Sequence, residues 1–412
     1  MNLKPDKASI VFIILLFSIV SYSYSIEYKN VTVGAERVDQ YVPLLKNKKV
    51  GIVANPSSLI KNTHIVDSLL SLNVNLVRIF SPEHGFRGNA DAGEHIGNYT
   101  DQKTGLPVIS LYGANKKPKV TYLDELEVII FDIQDVGVRF YTYISTMHYM
   151  MEACAEYDID FIVLDRPNPN GFYVDGPVLD MANRSFVGMH PVPIVHGMTV
   201  GEFAKMINGE GWLKEGKQCN LHVIPCKNYT HNDFYKLPVK PSPNLPNMEA
   251  IYLYPSLGLF EGTVISVGRG TDFPFQVYGH PELKETENPD NNNDSLQKSW
   301  GFTFVPRSIE GASKNPKFKG ITCIGTDLRN IGIQEIIAKK QICLDWLIDA
   351  YNRYPEKDKF FNSFFFKLAG NGKLKEDIIQ GKSPDQIRES WIQELEQFKR
   401  IRIKYLLYED FH

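Results

Sequence analysis

The chain has 412 residues, 43% of them hydrophobic and 23% charged. That is a globular composition long enough for two cored regions, and it excludes disorder and collagen-like structure. Lys and Arg total 45 against 48 Asp and Glu, a net charge of -3, too weak a field to gather a nucleic-acid backbone or an anionic lipid surface.

The chain opens with Lys4 and Lys7, an apolar run from Ala8 to Val20, and then Ser21-Tyr22-Ser23-Tyr24-Ser25. This is the pattern of a secretory signal over residues 1–25, and the run is short for a bilayer span. The expected location is secreted or periplasmic, with no membrane span once the signal is cleaved; a retained anchor is the alternative.

Beyond it, short apolar runs alternate with helical spacing. Strands are expected at Val50–Ala54, Val74–Phe80, Pro107–Leu111, Val128–Phe131, Phe161–Leu164 and Leu221–Ile224. Helices are expected at Leu59–Leu72, Ile144–Tyr157 and Thr199–Asn208, the last opened by a Thr199/Glu202 capping box. Continuous apolar strands between helices predict an α/β fold, a parallel sheet covered on both faces.

The polar stretch Glu285–Ser295 reads as a loop or junction. It divides a main domain, 26–284, from a smaller α+β auxiliary domain, 285–412. That second part carries strand-like pieces at Phe302–Pro306 and Gly320–Gly325 and helices at Gln334–Tyr351 and Pro384–Ile401. Five cysteines, an odd and scattered set, form no disulfide framework, although Cys219 and Cys226 are candidates to pair in an oxidising compartment.

In an open parallel sheet, sites form beyond the carboxyl ends of the strands. The loops there are dense in carboxylate, Arg and Asn: Asn55 after the first strand, Glu83-His84 and Arg87 after the second, Asp132 to Tyr141 after the fourth, Asp165-Arg166 and Asn168 after the fifth. No dinucleotide fingerprint, P-loop, nucleophile elbow or H-E-x-x-H motif occurs, so no cofactor and no metal is expected and carboxylate chemistry remains.

Glu83 is the first candidate general acid. Glu94-His95 repeats the Glu-His dipeptide and offers a second carboxylate, or with Glu83 and His84 a weak metal set. Asp135 is another carboxylate, Glu261 a further one. Arg139, Tyr141, Arg166 and Arg269 offer forks and an aromatic face for a sugar acid. Each also has a structural reading, as ion pair, cap or turn.

Four motifs, taken in order, carry a resemblance: Ser81-Pro82-Glu83-His84-Gly85-Phe86-Arg87-Gly88; Asp132-Ile133-Gln134-Asp135-Val136-Gly137 leading to Arg139-Phe140-Tyr141-Thr142-Tyr143; Asp165-Arg166-Pro167-Asn168-Pro169; and Leu259-Phe260-Glu261-Gly262-Thr263 leading to Ser266 and Gly268-Arg269-Gly270-Thr271. From about residue 48 onward the chain resembles the exo-β-N-acetylmuramidase (NamZ-like) family. The resemblance implies a Rossmann-like domain without dinucleotide, a C-terminal auxiliary domain and a cleft between them. It also implies release of N-acetylmuramic acid from the non-reducing ends of peptidoglycan fragments, with muropeptides and N-acetylmuramic acid-N-acetylglucosamine as partners.

By that resemblance Glu83 is the acid/base, with His84, Glu94 and Asp135 as further catalytic candidates. The substrate-binding candidates are Asn55, Arg87, Arg139, Tyr141, Asp165, Arg166, Asn168, Glu261 and Arg269. A metal-dependent cell-wall amidase or phosphoesterase and a non-catalytic muropeptide-binding protein are the alternatives.

Overall fold

A computed structural model describes residues 26–411 except His84, 88–96, Ala114 and 285–299. Its strands are β1 (Val50–Ala54), β2 (Leu59–Ile60), β3 (Thr63–His64), β4 (Leu76–Ser81), β5 (Tyr99–Thr100), β6 (Pro107–Ser110), β7 (Val128–Asp132), β8 (Asp160–Leu164), β9 (Leu221–Ile224), β10 (Val277–His280), β11 (Trp300–Phe304) and β12 (Cys323–Asp327). Seven of them form the main sheet, in the order β5-β6-β4-β1-β7-β8-β9. It is parallel throughout except for the edge strand β5.

The central strands are apolar on both faces because both faces are covered. In β7 every residue is buried. Ile129 and Phe131 point into one core and Val128 and Ile130 into the other, the period of two that a pleated strand imposes. The helices of the first half are α1 (Val38–Tyr41), α2 (Ile65–Ser71), α3 (Tyr143–Tyr157), α4 (Val200–Gly209) and α5 (Met248–Leu257). Ile65, Val66 and Leu69 of α2 fill one core, and Met147, Met150 and Met151 of α3 the other. The capping box that opens α4 is present: Glu202 N donates to Thr199 Oγ1 at 3.3 Å, and Thr199 N to Glu202 Oε2 at 2.9 Å.

The second half holds α6 (Ile333–Ala338), α7 (Asp345–Arg353), α8 (Phe365–Ala369), α9 (Lys373–Ile379), α10 (Pro384–Glu389) and α11 (Ile392–Arg402). A three-stranded antiparallel sheet, β10-β12-β11, completes it. Residues 285–299 lie outside the described residues, and the strands on either side of them, β10 and β11, both pair with β12.

Three expected helices are shorter or split. The stretch from Leu59 begins as a β2–β3 hairpin turning at Lys61 (φ 52), and helix starts only at Ile65. Gln334–Tyr351 breaks between α6 and α7 at Lys340 (φ 44), where the backbone is held from outside: Ile342 N donates to Asp175 Oδ2 and Cys343 N to Ser256 Oγ. Pro384–Ile401 breaks between α10 and α11 at Ser390-Trp391, with the Trp391 ring buried. All five cysteines are free and buried, so Cys219 and Cys226 do not pair; the Cys226 thiol donates to Asp165 O at 3.3 Å. Among the described residues no helix is long and apolar enough to cross a membrane.

Candidate active site

The chain builds outward from β1 in both directions, through β4 and β6 on one side and β7, β8 and β9 on the other. The order therefore reverses between β1 and β7, where ligands gather at the carboxyl ends in such sheets. Asn55 follows β1, Glu83 follows β4, and the loop from Ile133 to Thr142 joins β7 to α3. A cavity of about 170 Å³ opens there. Glu83 stands on one wall. Tyr141, Tyr143, Tyr254 and Phe275 form an aromatic wall, with ring centroids 4.9 Å apart for Tyr141–Tyr143, 6.0 Å for Tyr141–Tyr254 and 5.0 Å for Tyr254–Phe275. Glu261 from the turn after α5, Arg269 from the loop before β10, and Ser242 and Asn244 from a proline-rich loop complete the lining. The Tyr141 hydroxyl donates to Pro241 O at 2.8 Å, which pins that loop to the aromatic wall.

The polar groups are arranged by charge. Tyr112 lies against Glu83; burial first, then the carboxylate's charge and a hydrogen bond to it, push the phenol up to about 12, so it stays a donor. Asn55 lies beside the Tyr143 hydroxyl. Arg269 grips Glu261 through both ends of its fork, Nε to Oε1 at 2.6 Å and Nη2 to Oε2 at 3.0 Å. Burial pushes the Glu261 carboxyl up, but Arg269 and Lys317 outweigh it and hold it below the usual range. Asp135 is buried behind the tyrosines. Its Oδ1 accepts from Gly137 N at 2.7 Å, and its Oδ2 has no hydrogen-bond partner among the described residues. Burial pushes this carboxyl up to about 7, against the backbone amides of Gly137 and Val136.

Of the residues expected from sequence, Glu83, Tyr141, Glu261 and Arg269 come together around the cavity, with Asn55 beside it and Asp135 beneath it. His84 and Glu94 lie outside the described residues, as does His95. Among the described residues no group of three or more His, Cys, Asp or Glu is placed to hold a metal ion.

Five expected substrate contacts are instead committed elsewhere. Arg139 is fully buried and donates to the carbonyls of Pro177, Val192 and Leu368. Arg166 does not pair with Asp165; it forks onto Asp132 at 2.6 and 2.9 Å. Asp165 accepts from Thr199, Gly201 and Tyr408. Asn168 closes a turn onto Asn170 N and donates to Met198 O. Arg87 forks onto Asp101 at 2.8 and 2.9 Å, with Asp67 at 3.6 Å.

Tyr112, Tyr254, Phe275 and the Ser242–Asn244 loop were not singled out from sequence. Tyr254 sits in an almost wholly apolar helix, where nothing marks it as lining a cavity. The loop does carry a signal, since Pro238, Pro241, Pro243 and Pro246 mark a stiff connection.

Comparison with known proteins agrees with this architecture. Residues 50–249 match the model for "Exo-beta-N-acetylmuramidase NamZ, N-terminal", and residues 252–408 the corresponding C-terminal model. The chain is 40% identical to the peptidoglycan beta-N-acetylmuramidase NamZ of Bacillus subtilis (strain 168), over 95% of this chain and 96% of that protein. Two crystal structures of DUF1343 family proteins from Bacteroides fragilis are similar. One has TM-score 0.84 at 49% identity, covering 93% of this chain and 100% of that one; the other has TM-score 0.76 at 30% identity, covering 92% and 99%.

Proposed function

The chain belongs to the exo-β-N-acetylmuramidase NamZ family, and from that premise we propose that it releases N-acetylmuramic acid from the non-reducing ends of peptidoglycan fragments with Glu83 as general acid/base. The observation that carries this is the meeting of Glu83 with an aromatic wall and the Glu261–Arg269 pair in one cavity at the switch point of the sheet. A glycosidase needs a carboxylic acid to protonate the leaving oxygen, because an alkoxide is a poor leaving group in water. It needs flat, weakly hydrated faces for the sugar's C–H surfaces, which Tyr141, Tyr143 and Tyr254 provide. It also needs negative charge near the ring as oxocarbenium character develops. Glu83 once deprotonated, Glu261 and the substrate's own N-acetyl oxygen are the available sources.

The charged start and apolar run before residue 25 support export, where cell-wall fragments would be the substrate. Muropeptides and the disaccharide N-acetylmuramic acid-N-acetylglucosamine are the substrates this reading names.

The test is product identity. The protein incubated with that disaccharide should give free N-acetylmuramic acid and N-acetylglucosamine, and should leave a disaccharide of the reverse order intact. Glu83→Gln should lower the rate by about 10²–10⁴-fold while its circular dichroism and melting curve stay those of the wild type. Cleavage of the reverse disaccharide, or a fully active Glu83→Gln, would overturn the reading.

A further inference from the structure

N-acetylmuramic acid differs from N-acetylglucosamine by a lactyl ether, which carries a carboxylate ionised at neutral pH. A site that separates the two sugars by this group needs a partner for its charge. The four motifs of the sequence offer four arginines, Arg87, Arg139, Arg166 and Arg269, and the structure disposes of three. Arg139 and Arg166 are buried, with their forks spent on backbone carbonyls and on Asp132. Arg87 is spent on Asp101, with Asp67 close by. Of the four, Arg269 is the one that lines the cavity.

We propose that Arg269 receives the lactyl carboxylate and that Glu261 is its positioning residue; this rests on the muramidase reading given above. Backbone, ring and carboxylate all fix the guanidinium. Gly268 (φ 74) and Gly270 (φ 84) bracket it in left-handed turns. A Cβ on the first would come within 2.6 Å of Val277, and one on the second within 2.6 Å of Arg307 O, so the loop has a single path. The Phe275 ring lies 4.9 Å from the guanidinium carbon. Glu261 takes Nε and Nη2, so the outer Nη1 amino group is the part of the fork that this pair leaves to a ligand.

The charge also fits. Lys317 is tied to the carbonyls of Thr263 and Ile265, on the backbone between Glu261 and Arg269. Glu261 contributes -1, Arg269 +1 and Lys317 +1, which leaves one positive charge over when the nearby Glu83 carries its proton. That is the form in which Glu83 acts as an acid. A carboxylate substituent completes the balance, and N-acetylglucosamine leaves it open.

The experiment compares kcat/KM for three chromogenic β-glycosides: the muramide with a free lactyl carboxylate, the same muramide as its neutral lactyl amide, and the glucosaminide. Wild type should prefer the free acid over the amide by roughly 10- to 100-fold, the scale of hydrogen bonds to a charged group. Arg269→Met should bring that ratio close to one. Arg269→Lys should restore part of it, because charge remains while the fork is lost. Glu261→Gln should lower it in the same direction.

If wild type does not distinguish acid from amide, the proposal fails whatever the variants do. It also fails if Arg269→Met slows all three substrates alike, or shifts the pH profile with the ratio intact, since Arg269 would then act through the fold or through Glu83. Failure of wild type to cleave either muramide is a different result, and it overturns the muramidase reading itself.

Discussion

Asp135 is the residue whose ionisation the fold resists most plainly among the cavity's neighbours. It is 5% exposed, its Oδ2 finds no partner among the described residues, and burial lifts its carboxyl to about 7. In the unfolded chain the same group titrates near ~4. Between those values the folded protein holds a proton that the unfolded chain has released, so this group's contribution to stability falls as pH rises from about 4 to about 7. The buried histidines pull the other way. His148, packed against His190 at 2.9 Å, is pushed by burial down to about 4, and His196 to about 3. They stay neutral when folded, so their contribution is lost as pH falls below about 6.5. The contribution of Asp135 is isolated by difference. The melting temperature of Asp135→Asn minus that of wild type should rise steadily from pH 4 to pH 7; a flat difference would mean that Asp135 ionises freely in the folded protein. The sequence placed Asp135 after a strand end, but burial without a counter-charge is a tertiary property that one sequence does not display.

At the level of elements, the loop from β7 to α3 is held by an arginine that never reaches the cavity. Arg139 gives hydrogen bonds to Pro177, Val192 and Leu368, the last at the end of α8 in the second half. Its pKa is pushed down to about 9 by burial alone. Replacing it with Met orphans the buried carbonyls of Pro177 and Leu368 at about 1–3 kcal/mol each, while Val192 O keeps the Leu179 amide. Arg139→Met should therefore lose on the order of 3 kcal/mol or more and show a clear drop in melting temperature. An equally truncated Arg269, more than a quarter exposed and leaving Glu261 with Lys317 still near it, should lose clearly less. Equal drops in the two variants would mean that Arg269 is as much a structural arginine as Arg139. In sequence Arg139 and Arg269 look alike: each follows a glycine by one or two residues, near aromatics and at a motif's centre. Local chemistry suggested ligand contact for both, and only the packing of α8 against the β7–α3 loop separates them. Helix boundaries failed for a related reason. The periodicity of Gln334–Tyr351 is sound, but contacts from Asp175 and Ser256 capture the backbone amides of Ile342 and Cys343 and open the helix there.

Across the whole molecule, the two halves behave as one body. A single apolar cluster runs from Val53 in β1 to Phe398 in α11. The C-terminal tail returns to the first sheet, where the Tyr408 hydroxyl donates to Asp165 at 2.6 Å and Arg402 joins Gly197 O to Asp410. The parallel sheet was legible in advance because strands buried on both faces read as unbroken apolar runs, Val128-Ile129-Ile130-Phe131 being the plainest. Glu83, Tyr141, Glu261 and Arg269 were legible as motif residues at chain turns. Their meeting in one cavity was not, because it depends on the backbone after α5 folding back over the switch point.

If Glu83 supplies the proton to the leaving oxygen, the rate must depend on the leaving group in a way that Glu83→Gln changes. The rates of wild type and Glu83→Gln are compared on β-N-acetylmuramides of methylumbelliferone and of dinitrophenol. The second leaving group departs without protonation, so a missing acid costs it little. With the bond-breaking step measured, Glu83→Gln should lose about 10²-fold or more on the methylumbelliferyl substrate and stay within about tenfold of wild type on the dinitrophenyl one. Equal losses on both, or none on either, would contradict it.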